Sequence, residues 1–297
     1  MYDAQIGSDL LSLNTLFSSI GIDPKHVIVV RHRPKEPTLR RILPWLAAER
    51  HDLFNLYQSV QSGTAGRSMA KTPFLAVFIG LAPAQATFAG IYRVSGSRPL
   101  TAATFGALQG QDDLLALGMM DVDWNADEQR VLELERLTSL EAWIGKLTID
   151  WPAPERTWWR RAERNRIAVR FISEVSRFAA EMPAWTVLTL QWQELHLLPY
   201  SWKASLAEWR GVYYIFDVAR SLGYVGSAYG GENILGRWME YAATGHGGNV
   251  HLKSSHPSDL RFSILQRTSP DLAPAEIVAV EETWKLRLHT KTHGLNG

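Results

Sequence analysis

The stretch that decides the fold runs from Arg210 to Asn296. It opens as Arg210-Gly211-Val212-Tyr213-Tyr214-Ile215-Phe216-Asp217 and returns as Leu222-Gly223-Tyr224-Val225-Gly226-Ser227-Ala228. β-Branched and aromatic residues dominate both runs, and only a short segment separates them. They therefore read as neighbouring strands joined by a hairpin over Asp217 to Leu222. Opposed strands bring Tyr213 and Tyr224 close together. Aromatic residues on strands are ordinarily packing, so on their own both tyrosines read as core.

The rest of the stretch changes that reading. A Gly230-Gly231 turn opens a helix expected over residues 233–243. Arg237 and Tyr241 are four residues apart and share a face of it, with Ile234 and Trp238 as an adjacent apolar stripe. Gly245-His246-Gly247-Gly248-Asn249 ends this helix in a flexible turn, whose histidine either meets a phosphate or has no fixed role. Leu260 to Leu265 reads as a third strand. Pro274 stands near the start of a final helix, where its missing N–H costs nothing. In that helix Ile277, Val280 or Glu281, Trp284 and Leu288 follow 3-4 spacing, which places Glu281 beside an apolar stripe and Glu282 further round. A carboxylate there is expensive unless it is paired or holds a cation. Two readings stay open: an ion pair with Lys285 one turn on, or a hard-cation site, since Mg²⁺ accepts one carboxylate completed by phosphate and water.

Outward from this stretch, the chain has 297 residues, twelve tryptophans and no cysteine. That length accommodates two ordinary domains, and the apolar content is that of a folded protein. Without cysteine there are no disulfides and no zinc–thiolate sites. No signal peptide is visible in the acidic start, and no apolar run approaches the roughly 20 residues that span a bilayer. The expectation is a cytoplasmic protein that does not enter membranes. A net charge of +1 says little, because a nucleic-acid binder can collect its positive charge on one face.

In chain order, residues 9–20 suit a short helix, and His26 to Val30 reads as a buried strand ended by Arg31-His32-Arg33-Pro34. Two helical stretches follow from Thr38, with Pro44 either interrupting the first or starting a new turn, and Asp52 as a candidate N-cap of the second. Arg31, Arg33, Lys35, Arg40 and Arg41 make a local positive cluster, read as a solvated face or as a phosphate-facing patch. Gly63 to Lys71 reads as a linker or exposed loop. Strands are then expected at 74–80, 86–94, 130–134, 146–151 and 167–172, which suggests a small, curled, barrel-like β domain. Asp112, Asp113, Asp121, Asp123, Asp127 and Glu128 give it an acidic rim without calcium-loop spacing. The stretch W-P-A-P-E-R-T-W-W-R-R-A-E-R-N-R interleaves Arg156, Arg160, Arg161, Arg164 and Arg166 with Trp158 and Trp159. Such a mixture can hold backbone phosphates while stacking on bases, or it can be packed tryptophan with arginine stems over it. Pro183 marks a boundary, and residues 185–190 read as the first strand of the next unit.

The ordered elements from Gly211 onward resemble the GIY-YIG nuclease superfamily: Gly211-Val212-Tyr213, Tyr224-Val225-Gly226, the helix with Gly236-Arg237-Trp238-Met239-Glu240-Tyr241, the glutamate helix, and the closing Gly294-Leu295-Asn296. Valine replaces isoleucine in both triplets. The resemblance implies Tyr213 as general base or nucleophile-positioning residue and Tyr224 as support for the attacking water and phosphate. It implies Arg237 against the developing phosphorane charge and Tyr241 where many members carry histidine. Glu281 would bind a single Mg²⁺, with Mn²⁺ as a substitute, and Asn296 would brace the site. His246 and Lys285 join Arg156, Trp158, Trp159, Arg160, Arg161, Arg164 and Arg166 as candidate nucleic-acid contacts. The literal Gly90-Ile91-Tyr92 triplet lacks the downstream elements and reads as the middle of a barrel strand. Upstream, the R-H, L-F-x-x-Y-Q-x-x-Q and F-x-G-x-Y-x-V stretches resemble bacterial GIY-YIG nuclease family proteins.

The expected fold is therefore α+β. A GIY-YIG domain over 184–297, a three-stranded antiparallel sheet flanked by helices, follows a mostly β, barrel-like DNA-recognition domain over 71–183 and an α/β extension over 1–70. The expected function is a divalent-metal-dependent endonuclease acting on double-stranded DNA, of restriction or phage-defence type, with the β domain as reader of a modified or flipped base. It would leave 5′-phosphate and 3′-hydroxyl ends, and a homodimer would give double-strand cleavage. The alternatives are a repair or mobile-element nuclease, or a nucleic-acid-binding protein with weak or no cleavage. Phosphate-loop, dinucleotide and Ser-His-Asp signatures are missing from the sequence.

Overall fold

Ser12 precedes the first helix. Its hydroxyl accepts the Thr15 N–H at 3.3 Å and caps helix α1 (Leu13–Ser19). A computed structural model of the protein describes residues 11–119, 128–179 and 181–297. The chain divides into two units, Met1–Ala180 and Glu181–Gly297.

In the first unit the β-branched run forms β1 (Val27–His32), with all six residues buried. Helices α2 (Pro37–Glu49) and α3 (His51–Ser59) follow, then β2 (Val60–Ser62), α4 (Gly63–Met69), β3 (Phe74–Ile79) and β4 (Gln85–Pro99). Next come α5 (Ala102–Gly106), α6 (Gln111–Ala116), β5 (Gln129–Arg136), β6 (Leu147–Asp150), β7 (Trp159–Arg161) and β8 (Val169–Ile172). The strands make one sheet in the order β2-β5-β4-β3-β1-β7, with β6 and β8 attached through β4. β1 is buried because it pairs parallel with β3 and antiparallel with β7. The long β4 pairs β6 at its start and β5 from Tyr92 onward. Irregularities at Val77/Phe78 and Val94/Gly96 bend these pairings. The result is a mixed, partly curled half-barrel sheet in an α+β fold. One core packs Leu13, Leu16 and Phe17 of α1 with Val27, Val29, Ala76, Phe78, Phe88 and Ile91 of the sheet.

Several local expectations change here. β1 and β2, within the expected extension, belong to the same sheet as the strands after residue 71. Residues 63–69 are helical, not an exposed loop. A Cβ on Gly66 would stand 3.2 Å from the Gln61 backbone and the Arg130 side chain, so glycine lets this short helix lie close to its neighbours. α2 runs through Pro44 without a break. Asp52 is not the N-cap of α3 but sits in its first turn, bound to Arg50 at 2.8 Å, where a carboxylate suits the helix dipole. Asp112 and Asp113 lie in the first turn of α6, and Glu128 pairs with Arg130. Asp121, Asp123 and Asp127 lie outside the described residues.

The second unit contains β9 (Thr189–Gln191), α7 (Trp192–Leu195), α8 (Tyr200–Glu208), β10 (Arg210–Asp217), β11 (Leu222–Ala228) and α9 (Asn233–Thr244). β12 (Leu260–Thr268), α10 (Pro274–Arg287) and α11 (Thr290–His293) complete it. Its sheet is antiparallel, in the order β11-β10-β12-β9. It has four strands where a three-stranded sheet was expected: the strand expected at 185–190 falls at Thr189–Gln191 and joins the sheet, with buried Leu190 alongside Phe262 of β12. The apolar stripe of α10 is also narrower than its spacing suggests. Ile277 is fully buried, whereas Leu288 is 38% exposed. No helix among the described residues is long and apolar enough to cross a membrane.

Candidate active site

Three phenols gather on the face of the second sheet that carries α9. Tyr213 lies on the central strand β10 opposite Gly226 of β11, and both it and Tyr241 are fully buried. A Cβ on Gly226 would stand 2.5 Å from the Tyr213 hydroxyl, so the glycine of the second triplet makes room for the tyrosine of the first. Gly247, at φ +53°, does the same for Tyr241, whose ring an added Cβ would meet at 2.5 Å. The Tyr213 and Tyr241 hydroxyls share a hydrogen bond at 3.2 Å. Tyr224, two residues before Gly226 on the same strand face, is half-buried, with ring centroids 6.5 Å from Tyr213 and 6.4 Å from Tyr241. Phe262 supports the cluster from β12, 6.1 Å from Tyr241 and 5.7 Å from Trp238.

Arg237, one turn before Tyr241 on α9, holds its guanidinium 5.6 Å from the Tyr241 ring and pairs with the exposed Glu240. Burial pushes Tyr213 up to about 12; Tyr224 adds to the rise, and Arg237 pulls against it. Tyr241 is raised as well, by burial and by its two phenol neighbours. At neutral pH these groups are therefore hydrogen-bonding phenols beside a partly exposed cation. Such a set can hold an anion and stabilise charge that develops on it.

Glu281 belongs to the other face. Successive side chains of a strand point to opposite sides. Tyr224 and Gly226 of β11 accordingly face α9, while Val225 and Ser227 face α10. Ser227 Oγ donates to Glu281 Oε2, and Lys285 Nζ stands 2.6 Å from Glu281 Oε1. The ion-pair reading of Lys285 is thus realised. Lys285 also meets Glu282 at 2.9 Å, and Glu282 in turn pairs with Lys291. Burial works against the Lys285 charge, but its hydrogen bonds to both carboxylates outweigh this and hold its pKa above the usual lysine value. Asn296 clamps the backbone of Val225 at the edge of the sheet. Its Oδ1 accepts the Val225 N–H and its Nδ2 donates to the Val225 carbonyl, both at 2.8 Å. Leu295 N–H donates to the Gly223 carbonyl at 2.8 Å, so the chain's last residues continue the pairing of β11. The phenol–arginine group and the carboxylate group therefore flank β11, the edge strand, on its two faces.

The other candidates belong to neither cluster. His246 Nδ1 accepts the Gly248 N–H at 3.0 Å, which ties the ring to its own loop. In the first unit Arg160 is a strut: its Nη2 donates to the Pro152 and Pro154 carbonyls at 2.8 and 3.3 Å, and its guanidinium lies 5.8 Å from the Trp151 ring. Trp159 and Arg161 stand on β7, and the Trp158 ring lies 6.5 Å from His32. Arg156, Arg164 and Arg166 are exposed. Buried Arg31 bonds to Glu155, which also meets Arg33 at 3.3 Å.

Sequence reading overlooked Ser227, Glu240 and the two glycines under the phenols. Ser227 was within reach, since it follows the second triplet and strand alternation turns it away from Tyr224. Gly247 was not, because its need for φ > 0 and for space appears only beneath a packed Tyr241. Among the described residues no group of three or more His, Cys, Asp or Glu side chains could hold a metal ion. One carboxylate and one hydroxyl, Glu281 and Ser227, form a hard-oxygen set that fits a single Mg²⁺ completed by water and phosphate, provided Lys285 leaves Oε1. No family model, curated protein or solved structure matches the chain.

Proposed function

We propose that the second unit is a divalent-metal-dependent DNA endonuclease of the GIY-YIG type, with a phosphodiester lying along the edge of β11. The observation that carries this reading is the hydrogen-bonded pair Tyr213–Tyr241 with Arg237 beside it. A cation and two or three phenols with few other chemical groups suit an anionic, non-planar centre such as phosphorus. Arg237 neutralises charge gained at the phosphoryl oxygens, and exposed Glu240 releases it when phosphate arrives. Tyr213 positions the nucleophile and, in its phenolate form, takes its proton to become the neutral phenol. Tyr224, the half-buried phenol, orients water or phosphate at the entrance. Asn296 keeps the edge strand in register through Val225. A divalent ion held by Glu281 and Ser227 supplies Lewis-acid charge to the phosphate when bound.

The products are 5′-phosphate and 3′-hydroxyl ends. One such site cuts one strand, so double-strand cleavage needs a homodimer or two encounters. The first unit, with its curled sheet and exposed arginines, is the reader of double-stranded DNA in a restriction or phage-defence role, with a modified base as the recognised feature. The test incubates the purified full chain with supercoiled and linear duplexes, with and without base modification, in Mg²⁺, Mn²⁺ or chelator. Nicking that depends on metal, and ends that religate without added kinase, are the expected result. DNA binding without cleavage in every condition makes the protein a nucleic-acid binder and overturns the assignment.

A further inference from the structure

Both oxygens of the Glu281 carboxylate are already engaged, Oε1 by Lys285 at 2.6 Å and Oε2 by Ser227. The pair is withdrawn from solvent, with side chains 13% and 15% exposed. Lys285 also touches a second carboxylate, Glu282, at 2.9 Å, and that one is 41% exposed. The lysine thus bridges an inner and an outer acid on one helix, and the outer acid has Lys291 as a further partner. A divalent ion and an ammonium repel too strongly at a few ångströms to share one half-buried carboxylate. Lysine is a flexible point charge with four rotatable carbons, so it can leave Oε1 and keep Glu282.

We propose that Glu281, Ser227 and Lys285 form an exchangeable cation site, in which the Lys285 ammonium is the resident cation and a divalent ion enters only as Lys285 withdraws to Glu282. The use of that ion in cleavage rests on the nuclease reading above, but the exchange itself needs no DNA. Its consequence is a low intrinsic metal affinity. The ion is admitted when another anion, such as a DNA phosphate, adds its charge at the edge of β11. Lys285 is then the residue that sets the metal concentration at which the site fills.

The experiment titrates the full chain with Mn²⁺ in the absence of DNA and reads the free aqua ion by electron paramagnetic resonance. Wild type is compared with Lys285→Met, which keeps the stem and removes the charge, with Lys285→Gln as a second variant and thermal melts as a check on folding. Either variant should bind Mn²⁺ at least about tenfold more tightly than wild type. Glu281→Gln should abolish binding in both the wild-type and the Lys285→Met background. Unchanged or weaker affinity in the Lys285 variants overturns the proposal, even if wild type cuts DNA and the nuclease reading stands. Absence of Mn²⁺ binding in every form also overturns it and leaves Lys285 as a permanent partner of Glu281. Tighter binding in a chain that cuts no DNA supports the exchange while the nuclease reading fails.

Discussion

The two units each contain a buried tyrosine at the third position of a glycine-led triplet, and the two tyrosines live in different chemistry. Tyr92 follows Gly90 and Ile91 in β4, and Tyr213 follows Gly211 and Val212 in β10. Both are fully buried, both leading glycines have positive φ (+140° and +151°), and burial pushes both phenols up to about 12. Each hydroxyl bonds to side chains from a helix, and the partners differ. For Tyr92 one is His51, 3.1 Å away with its ring stacked at 5.9 Å. Burial and Arg136 hold the His51 imidazole below its usual value, so at neutral pH it is an uncharged partner and Tyr92 is a satisfied core group. Tyr213 instead meets a second phenol, and the Arg237 guanidinium beside that pair is 37% exposed. A triplet of residues is thus no site by itself. What surrounds the hydroxyl, and whether a charge there opens onto solvent, decides between packing and chemistry.

The largest expected effect that separates the two tyrosines comes from the arginine. Arg237→Ala should lower single-turnover cleavage by about 10²–10³-fold while changing equilibrium DNA affinity less than about tenfold, since its contact is to charge present mainly in the transition state. His51→Ala, the equivalent deletion around Tyr92, should leave the rate of folded protein unchanged. Equal losses of rate and affinity in Arg237→Ala would reduce Arg237 to a substrate anchor.

Next in size is the pair of hydroxyl deletions. Tyr213→Phe should cost about 10²-fold in cleavage rate and Tyr92→Phe nothing. pH sharpens the contrast. With its folded pKa near 12, Tyr213 is phenolate in only about one molecule in 10⁵ at pH 7, and that fraction grows tenfold per pH unit. The logarithm of the single-turnover rate should therefore climb with a slope of about one from pH 7 to about 10, in wild type and Tyr92→Phe alike, and flatten in Tyr213→Phe. A plateau reached below pH 9 in wild type would move the proton transfer to another group.

The smallest effect concerns the glycines. Gly226→Ala puts a Cβ where the Tyr213 hydroxyl lies, and Gly90→Ala forces alanine into φ +140° with its Cβ 3.1 Å from the Tyr92 ring. Each should cost about 1–3 kcal/mol in chemical denaturation. Only Gly226→Ala should also slow cleavage per folded molecule. Loss of activity from Gly90→Ala at full folding would mean that the Tyr92 surroundings do more than pack.

How much could be read from residues alone follows from the range of the interactions. The hairpin of β10 and β11, the helix carrying Arg237 and Tyr241, and the Glu281–Lys285 ion pair were all legible, because each rests on alternation, a tight turn or a four-residue step along one helix. These are local rules with one dominant solution. The α+β class and the run of strands in the first unit were legible for the same reason. Other features have no local signature. The bounds of β9 have none: a strand is expected at 185–190, but only Thr189–Gln191 find an edge on β12, and residues 63–69 are helical where Gly66 fits against Gln61 and Arg130. β1 joins the half-barrel through a parallel partner more than forty residues on. The donation of Arg160, a candidate nucleic-acid contact, to the Pro152 and Pro154 carbonyls was not legible either. The division of the site also belongs to tertiary structure. Residue order brings three phenols, an arginine and a glutamate into one sheet-and-helix unit, but α9 and α10 pack on opposite faces of β11, and that packing sets the phenols on one side and Glu281 on the other. Sequence thus determined which groups are present and which local elements carry them. Only the packing of elements distant in the chain decided which groups meet, because each of those contacts depends on a surface that another part of the chain must supply.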